Sequence, residues 1–225
     1  NEGETCLLSG FTIRNGRREN GGGTFGGNYA NATHATIQNN VISGNSAVGD
    51  WPDGVGGGLV YCHGMIQNNR ITGNSAIGDY SIGGGLAHCD GPIRNNVISG
   101  NSVTAEESGA GRGLVFCDGA IRNNVITGNS AIGERSGGGS LAYCDGPIQN
   151  NTLSGNSAGW AGGGLYGCDG AIWDCIIWGN TAPDGDQLYD SSVPTYSCIE
   201  SWTHVAHGNL SYYPYFADAP NGDYH

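Results

Sequence analysis

The residues best suited to bind or cleave a sugar are acidic and aromatic side chains outside the repeated part of this sequence. Aromatic rings beside carboxylates suit sugar binding, and two carboxylates about 5 Å or about 6.5–9.5 Å apart suit hydrolysis of a glycosidic bond. The candidate catalytic pairs are Asp50 with Asp79 and Glu106 with Glu134. The candidate glycan-binding set is Asp50, Trp51, Asp53, Asp79, Tyr80, Glu106, Glu107, Glu134 and Trp160. Because such acids also serve solubility alone, the sequence assigns no catalytic residue.

Four aspartates form a second chemical pattern, since each follows a cysteine and precedes a glycine. They are Asp90, Asp118, Asp145 and Asp169, with His63 in the first place of the same column. An Asp-Gly pair is typical of a tight turn. If the turns stack, neighbouring carboxylates repel by about 3 kcal/mol at an effective dielectric of 20, and Ca²⁺ relieves such repulsion. The sequence leaves a repeated turn and a calcium site open, and it requires no other cofactor.

Five cysteines recur at nearly constant spacing. They are Cys62, Cys89, Cys117, Cys144 and Cys168, separated by 27, 28, 27 and 24 residues. Stacked at about 4.8 Å, their Cα atoms would lie within the range of disulfides. The sequence therefore leaves two alternatives open. The column forms either the disulfides Cys62–Cys89 and Cys117–Cys144 or a buried line of free thiols.

A third disulfide is predicted between Cys175 and Cys198. Each of these residues is followed by isoleucine, so the two positions look equivalent in consecutive coils. Eight cysteines in a glycine-rich, acidic chain favour an oxidising, extracellular setting.

These groups must be positioned by a repeat that covers most of the chain, with the consensus GGGLxxCDGxIxNNxIxGNSA. Consecutive glycines disfavour helices, whereas short apolar triplets between Gly and Asn indicate short strands with tight bends. The sequence predicts an all-β fold, a right-handed parallel β-helix of about seven to eight coils with 24–28 residues per coil. It would span residues 1–203, and 204–225 would form an irregular aromatic cap of the same domain.

Apolar and amide columns follow from the same repeat. The apolar columns contain Leu59, Leu86, Leu114, Leu141 and Leu165, then Ile66, Ile93, Ile121, Ile148 and Ile172. One amide column contains Asn39, Asn68, Asn95, Asn123 and Asn150, with Asp174 in the sixth place. The other contains Asn45, Asn74, Asn101, Asn129, Asn156 and Asn180. Because an amide both donates and accepts hydrogen bonds, both columns are predicted to form ladders along the rod.

Composition excludes several functions. The chain of 225 residues has 43 glycines, a net charge of -12, eight arginines and no lysine. Without a basic stripe it is not expected to bind nucleic acid or anionic membranes, and no apolar run is long enough for membrane insertion. Arg94 and Arg122 share a column with Gln38, Gln67 and Gln149, which predicts an outward polar stripe.

The repeat resembles the right-handed parallel β-helix repeat proteins of bacterial surfaces and secretions. GGGL followed by a Gly-Asn bend is similar to the GGA[IL] and FxxN repeats of polymorphic outer-membrane autotransporter passengers, although the Phe is missing. The segments IIWGNTAPDG (176–185) and FADAPNGDYH (216–225) are similar to the last coils of large bacterial surface proteins of this class. The resemblance implies an extracellular or cell-surface location and a chain cut from a longer protein.

The function expected from these patterns is that of a non-catalytic structural or adhesive module. Its partners would be surface glycans or other copies of itself, joined end to end into a filament. Proteins of this fold also include polysaccharide lyases and hydrolases, and fold alone does not choose among them. The alternatives are therefore a carbohydrate-active enzyme that uses loop carboxylates, and a calcium-dependent glycan-binding module.

Overall fold

The chain forms a parallel β-solenoid of about six turns with about 27 residues per turn. The computed structural model describes residues 6–28, 30–49, 55–105, 111–133, 135–203, 206–219 and 223–224. Within these residues there are 27 strands, numbered β1 to β27 in chain order, and no α-helix. The predicted fold class, an all-β parallel solenoid, is confirmed, with about six turns instead of the predicted seven to eight. End coils contribute strands to only some of the sheets, so the sheets hold between five and eight strands each.

The strands form four parallel sheets that run along the rod. Sheet 1 contains β1 (Leu7–Ser9), β5 (Thr36–Gln38), β9 (Ile66–Gln67), β13 (Ile93–Arg94), β17 (Ile121–Arg122), β21 (Ile148–Gln149) and β24 (Ile172–Trp173). Sheet 2 contains β2 (Thr12–Arg14), β6 (Val41–Ser43), β10 (Arg70–Thr72), β14 (Val97–Ser99), β18 (Val125–Thr127), β22 (Thr152–Ser154), β25 (Ile176–Trp178) and β27 (Cys198–Ile199). Sheet 3 contains β3 (Arg17–Arg18), β7 (Ser46–Val48), β11 (Ser75–Ile77), β15 (Ser102–Thr104) and β19 (Ser130–Ile132). Sheet 4 contains β4 (Thr24–Phe25), β8 (Leu59–Val60), β12 (Leu86–Ala87), β16 (Leu114–Val115), β20 (Leu141–Ala142), β23 (Leu165–Tyr166) and β26 (Leu188–Tyr189).

The core consists of the predicted apolar columns, each in register from coil to coil. Ile66 pairs with Ile93 and Ile93 with Ile121 in sheet 1, and Leu86 pairs with Leu114 in sheet 4. These side chains are fully buried in one continuous cluster. Because a slip of one residue would move each column from the inside to the outside, burial fixes the register.

Two buried asparagine ladders run beside this core, and one of them is the predicted column. In that ladder Asn74 Nδ2 donates to Asn101 Oδ1 at 3.0 Å, and Asn101 Nδ2 donates to Asn129 Oδ1 at 2.9 Å. Each Nδ2 also donates to a backbone carbonyl, as Asn101 does to Ile71 at 3.0 Å. The ladder therefore satisfies buried backbone groups at the bend between sheets 2 and 3.

The other ladder lies one residue beyond the predicted column. The buried amides are Asn40, Asn69, Asn96, Asn124 and Asn151. The preceding residues, Asn39 to Asn150 with Asp174, are exposed and have positive φ angles of 52° to 56°. These residues make the bend itself, since asparagine tolerates the left-handed region. A residue at the bend points outward, so its neighbour takes the inward place.

Residues 206–211 lie along the last strand of sheet 2 at the C-terminal end of the solenoid. Leu210 N donates to Ser197 O at 2.9 Å, and Ile199 N donates to Leu210 O at 2.8 Å. Ser197 N donates to Asn209 Oδ1 at 2.9 Å, which continues the line of the ladder that contains Asn151. This segment therefore pairs with the last strand of sheet 2. Whether residues 204–225 act as a cap of the same domain remains a prediction.

The ladder that contains Asn101 and Asn180 ends at a carboxylate. Asn180 Nδ2 donates to Gln187 Oε1 at 2.8 Å, and Gln187 Nε2 donates to Glu200 Oε2 at 3.0 Å. Gly179 N donates to the same carboxylate oxygen at 2.8 Å. Glu200 thus accepts the last hydrogen bond of the chain of amides.

Candidate functional site

Most of the predicted sugar-binding residues lie outside the described residues. Asp50, Trp51, Asp53, Glu106, Glu107 and Glu134 belong to this group. Both predicted carboxylate pairs, Asp50 with Asp79 and Glu106 with Glu134, include at least one of them. The pairs therefore stay predictions.

The three described candidates, Asp79, Tyr80 and Trp160, do not come together. Asp79 and Tyr80 project from a turn closed by a hydrogen bond from Ser81 N to Gly78 O at 3.2 Å. Trp160 lies in the loop region three coils further on, about 14 Å along the rod at about 4.8 Å per coil. Trp160 is 40% exposed, and its ring packs 5.7 Å from the rings of Tyr166 and Tyr189.

An aromatic column that sequence reasoning missed runs along the outside of sheet 4. The rings of Tyr61, His88, Phe116 and Tyr143 stack with centroids 5.1–5.2 Å apart and interplanar angles of 10–13°. All four residues have positive φ angles of 48–53°, which costs about 1–3 kcal/mol each. Stacking and burial of the rings offset this strain. The signal was present in the sequence, since each of these residues directly precedes a cysteine of the repeat.

This aromatic column is built for coil-to-coil contact. Sugar platforms present a ring face to the ligand, whereas here each inner ring has neighbours on both faces. Gly167 packs directly against the ring of Tyr143, since a Cβ added at Gly167 would lie 2.8 Å from that ring. The stack therefore holds consecutive coils together and leaves mainly ring edges at the surface.

Replacing His88 with phenylalanine is expected to remove an acid-sensitive step in stability. Burial lowers the pKa of His88 from its ordinary value of 6.5, against smaller opposing effects of Cys117, Asp90 and Asp118. Below pH 6.5 the unfolded chain therefore binds a proton more readily, and stability falls as the pH falls. The melting temperature of wild type should drop between pH 7.5 and pH 5 by more than that of H88F, measured by circular dichroism.

The control for this prediction is His207→Asn, which removes an exposed histidine with a positive φ angle of 70°. This variant should keep the pH dependence of wild type. Equal pH slopes in wild type and H88F would contradict the role of His88.

The aspartate column forms a hydrogen-bonded ladder along the turns. Asp145 N donates to Asp118 Oδ1 and Asp169 N donates to Asp145 Oδ1, both at 3.0 Å, and Asp118 N donates to Asp90 Oδ1 at 3.3 Å. His63 Nε2 lies 3.3 Å from Asp90 Oδ2. These contacts support the turn interpretation. Within the described part of the chain, no group of three or more His, Cys, Asp or Glu side chains is arranged to hold a metal ion, and calcium binding stays a prediction.

All eight cysteines are free, so of the two open alternatives the one with disulfides Cys62–Cys89 and Cys117–Cys144 is wrong. The reason is the shared orientation of the side chains in the column. Cys89 Sγ donates to Ala87 O and Cys117 Sγ to Val115 O, each at 3.3 Å and within its own coil. The column is the alternative that the sequence left open, a line of buried thiols.

The predicted Cys175–Cys198 bond is wrong because the two residues are out of register. Cys198 pairs with Ile176, whereas Cys175 N donates to Ser197 Oγ. A shift of one residue places side chains on opposite faces of a strand. Cys175 therefore points into the core, while Cys198 lies on the outer face of sheet 2.

Native protein is expected to react with a thiol reagent at Cys6 and Cys198 only. Cys6 is exposed and Cys198 half-buried, whereas the other six thiols are buried. Burial raises the pKa of Cys175 to about 11 and those of Cys89, Cys117 and Cys144 well above the ordinary range. Because the thiolate is the reactive form, these groups stay inert at neutral pH. Titration with an aromatic disulfide reagent before and after addition of guanidinium chloride measures both populations.

The denatured sample should titrate eight thiols. A lower count would reveal disulfides and contradict the free column, whereas more than two thiols reacting rapidly in the native protein would contradict the burial of the other six.

The outer face of sheet 1 carries the predicted polar stripe. Gln67, Arg94, Arg122 and Gln149 are in direct register from β9 to β21, with Gln38 before them and Trp173 after them. Arg94 and Arg122 are both exposed. These residues form a continuous surface column on the described rod.

Comparisons of the chain with protein-family models, with curated proteins and with solved structures found no match in any of the three. Within the described residues, no helix is both long and apolar enough to cross a membrane.

Proposed function

We propose that the chain is a rigid, non-catalytic structural or adhesive module of an extracellular or cell-surface protein. The observation that carries the proposal is the uniformity of the rod. Apolar, amide, thiol, aspartate and aromatic columns each repeat the same residue types from coil to coil. A solenoid in which each coil contacts only its neighbours forms an extended surface, as an adhesive or spacer module requires.

The proposed extracellular location rests on the resemblance of the repeats to those of bacterial surface proteins and on the acidic, lysine-free composition. The cysteines do not support it, because the structure has no disulfide. The six buried thiols are compatible with an oxidising setting, since a buried, protonated thiol reacts slowly.

Binding without cleavage is the experimental signature of this function. The full chain is incubated with immobilised acidic and neutral polysaccharides, and both its retention and the release of new reducing ends are measured. The proposal expects retention on at least one polysaccharide and no new reducing ends. Release of reducing ends that D50A or E106A abolishes would overturn it in favour of the carbohydrate-active alternative.

The paired C-terminal edge of sheet 2 supports single rods over a filament. Residues 206–211 occupy the edge of sheet 2 that an end-to-end partner would need. Negative-stain electron microscopy of the full chain is expected to show separate particles with a solenoid about 30 Å long, from six turns at about 4.8 Å each. Fibres would support the filament form of the structural role instead.

A further inference from the structure

Two arginines stack directly on each other on the outer face of sheet 1. Arg94 in β13 pairs with Arg122 in β17, and both side chains are exposed. Like charges that face each other on neighbouring strands are destabilising. The other members of this column are the uncharged Gln38, Gln67, Gln149 and Trp173. In a chain of net charge -12, this pair is a local concentration of positive charge.

No carboxylate neutralises the pair within the part of the chain that the structure describes. The nearest acids in sequence are Asp90 and Asp118, each four residues before an arginine. Asp90 accepts from Asp118 N and contacts His63, and Asp118 accepts from Asp145 N. These carboxylates are therefore engaged at the turns. In the neighbouring bend column, Asp174 stands two coils beyond Arg122.

The column also presents hydrogen-bond donors in preference to acceptors. Gln67 Nε2 donates to Gln38 Oε1 at 2.6 Å, and Arg94 Nε donates to Gln67 Oε1 at 3.0 Å. Each of these amide oxygens accepts from the next coil, while the guanidinium groups have five N–H donors each. Arg94 Nη2 contacts Met65 Sδ at 3.3 Å, which holds the guanidinium against the rod. A positively charged surface rich in donors is complementary to an anion.

We infer that this column binds an extended acidic oligosaccharide, with one carboxylate or sulfate group between Arg94 and Arg122. Neutral sugars on either side would contact the amides of Gln67 and Gln149, and Trp173 offers an indole for sugar stacking. Within this column the positive charge is confined to two adjacent coils. The net negative charge of the whole chain repels polymers that carry a negative charge on every unit. An acidic sugar among neutral ones fits this pattern better than an acidic peptide. The inference rests on the adhesive form of the proposed function and names its ligand class.

The test compares two doubly substituted variants of equal charge. R94Q/R122Q places glutamine where three other coils already have it, so the fold accepts the change. R14Q/R70Q removes two exposed arginines from sheet 2 and is the control. Calorimetry at low salt uses oligosaccharides of hyaluronan (carboxylate) and of a sulfated neutral glycan. A neutral cello-oligosaccharide of the same length and polyglutamate are the comparison ligands.

Wild type is expected to bind at least one acidic oligosaccharide, and neither the neutral one nor polyglutamate. The comparison of hyaluronan with the sulfated glycan identifies the acidic group. R94Q/R122Q should lose affinity at least tenfold, since the charge-assisted hydrogen bonds of two guanidinium groups are replaced by weaker, uncharged amide contacts. The control should lose less than about twofold.

Three results would overturn the inference: no binding of either acidic oligosaccharide, equal losses in the two variants, or polyglutamate binding as tight as that of the glycans. Retention of the chain on another polysaccharide through a different face would leave the adhesive function standing. Cleavage of a polysaccharide would instead overturn the proposed function, so the two failures are distinguishable.

Discussion

Asn101→Ala is expected to lower the free energy of unfolding by about 4 kcal/mol, because four buried hydrogen bonds to its side chain are lost. Asn101 Nδ2 donates to Ile71 O and to Asn129 Oδ1, and its Oδ1 accepts from the backbone N and Nδ2 of Asn74. Ile71, Asn74 and Asn129, which supply these partner groups, are fully buried in the native protein. Each loses a partner that water does not replace. Equilibrium unfolding in guanidinium chloride, followed by circular dichroism, measures the loss.

The matched control for this prediction is Asn123→Gly in the exposed bend column. Asn123 has a φ of 56°, which glycine adopts without strain, and its amide accepts one exposed hydrogen bond from Asn150. The control should change the unfolding free energy by less than about 1 kcal/mol. Equal losses at the two positions would show that burial of the ladder is not the source of its stability.

Gly119→Ala is expected to be of comparable severity, with a loss of at least about 3 kcal/mol or failure to fold. A Cβ at this position would lie against the carbonyl oxygens of Gly91 and Asp90 in the preceding coil, the second of them 2.5 Å away. These are backbone atoms in a hydrogen-bonded stack, so they can give way only if the coils separate. The yield of folded protein and its melting temperature measure the effect.

Gly128→Ala is the control for steric contact. Gly128 has a φ of 60°, and a Cβ there would meet nothing within 4 Å. Only the left-handed backbone opposes the substitution, at about 1 kcal/mol. A melting temperature for G119A as high as that for G128A would contradict close stacking of the turns.

The fold class follows directly from the sequence because each turn of the solenoid must bury the same apolar positions and form the same bends. The Leu and Ile positions represented by Leu59 and Ile66 occur once in each coil. Stacking the coils in register buries the side chain at every one of these positions. The predicted ladder of Asn74 and Asn101 was confirmed for the same reason. A periodic sequence thus carries long-range information that is normally invisible in a single chain.

Details within one turn could not be derived in this way. In the pair Asn68–Asn69, both residues are asparagine, and periodicity alone does not tell which one bends and which one faces inward. Cys198 was assigned the wrong face because the last coils are shorter, which shifts its register by one residue. The stack through His88 was missed because bulky residues rarely adopt a positive φ.

The asparagine ladders also give the rod an electrical direction. In every step the Nδ2 group donates toward the C-terminal coil and the oxygen accepts from the N-terminal side, as from Asn74 to Asn101. The amide dipoles therefore add along the axis, as the peptide dipoles of a helix do, and aligned hydrogen bonds polarise one another. Glu200 places a negative charge at the positive end of this array, beyond Asn180 and Gln187. The two ends of the rod consequently present different electric fields to whatever approaches them.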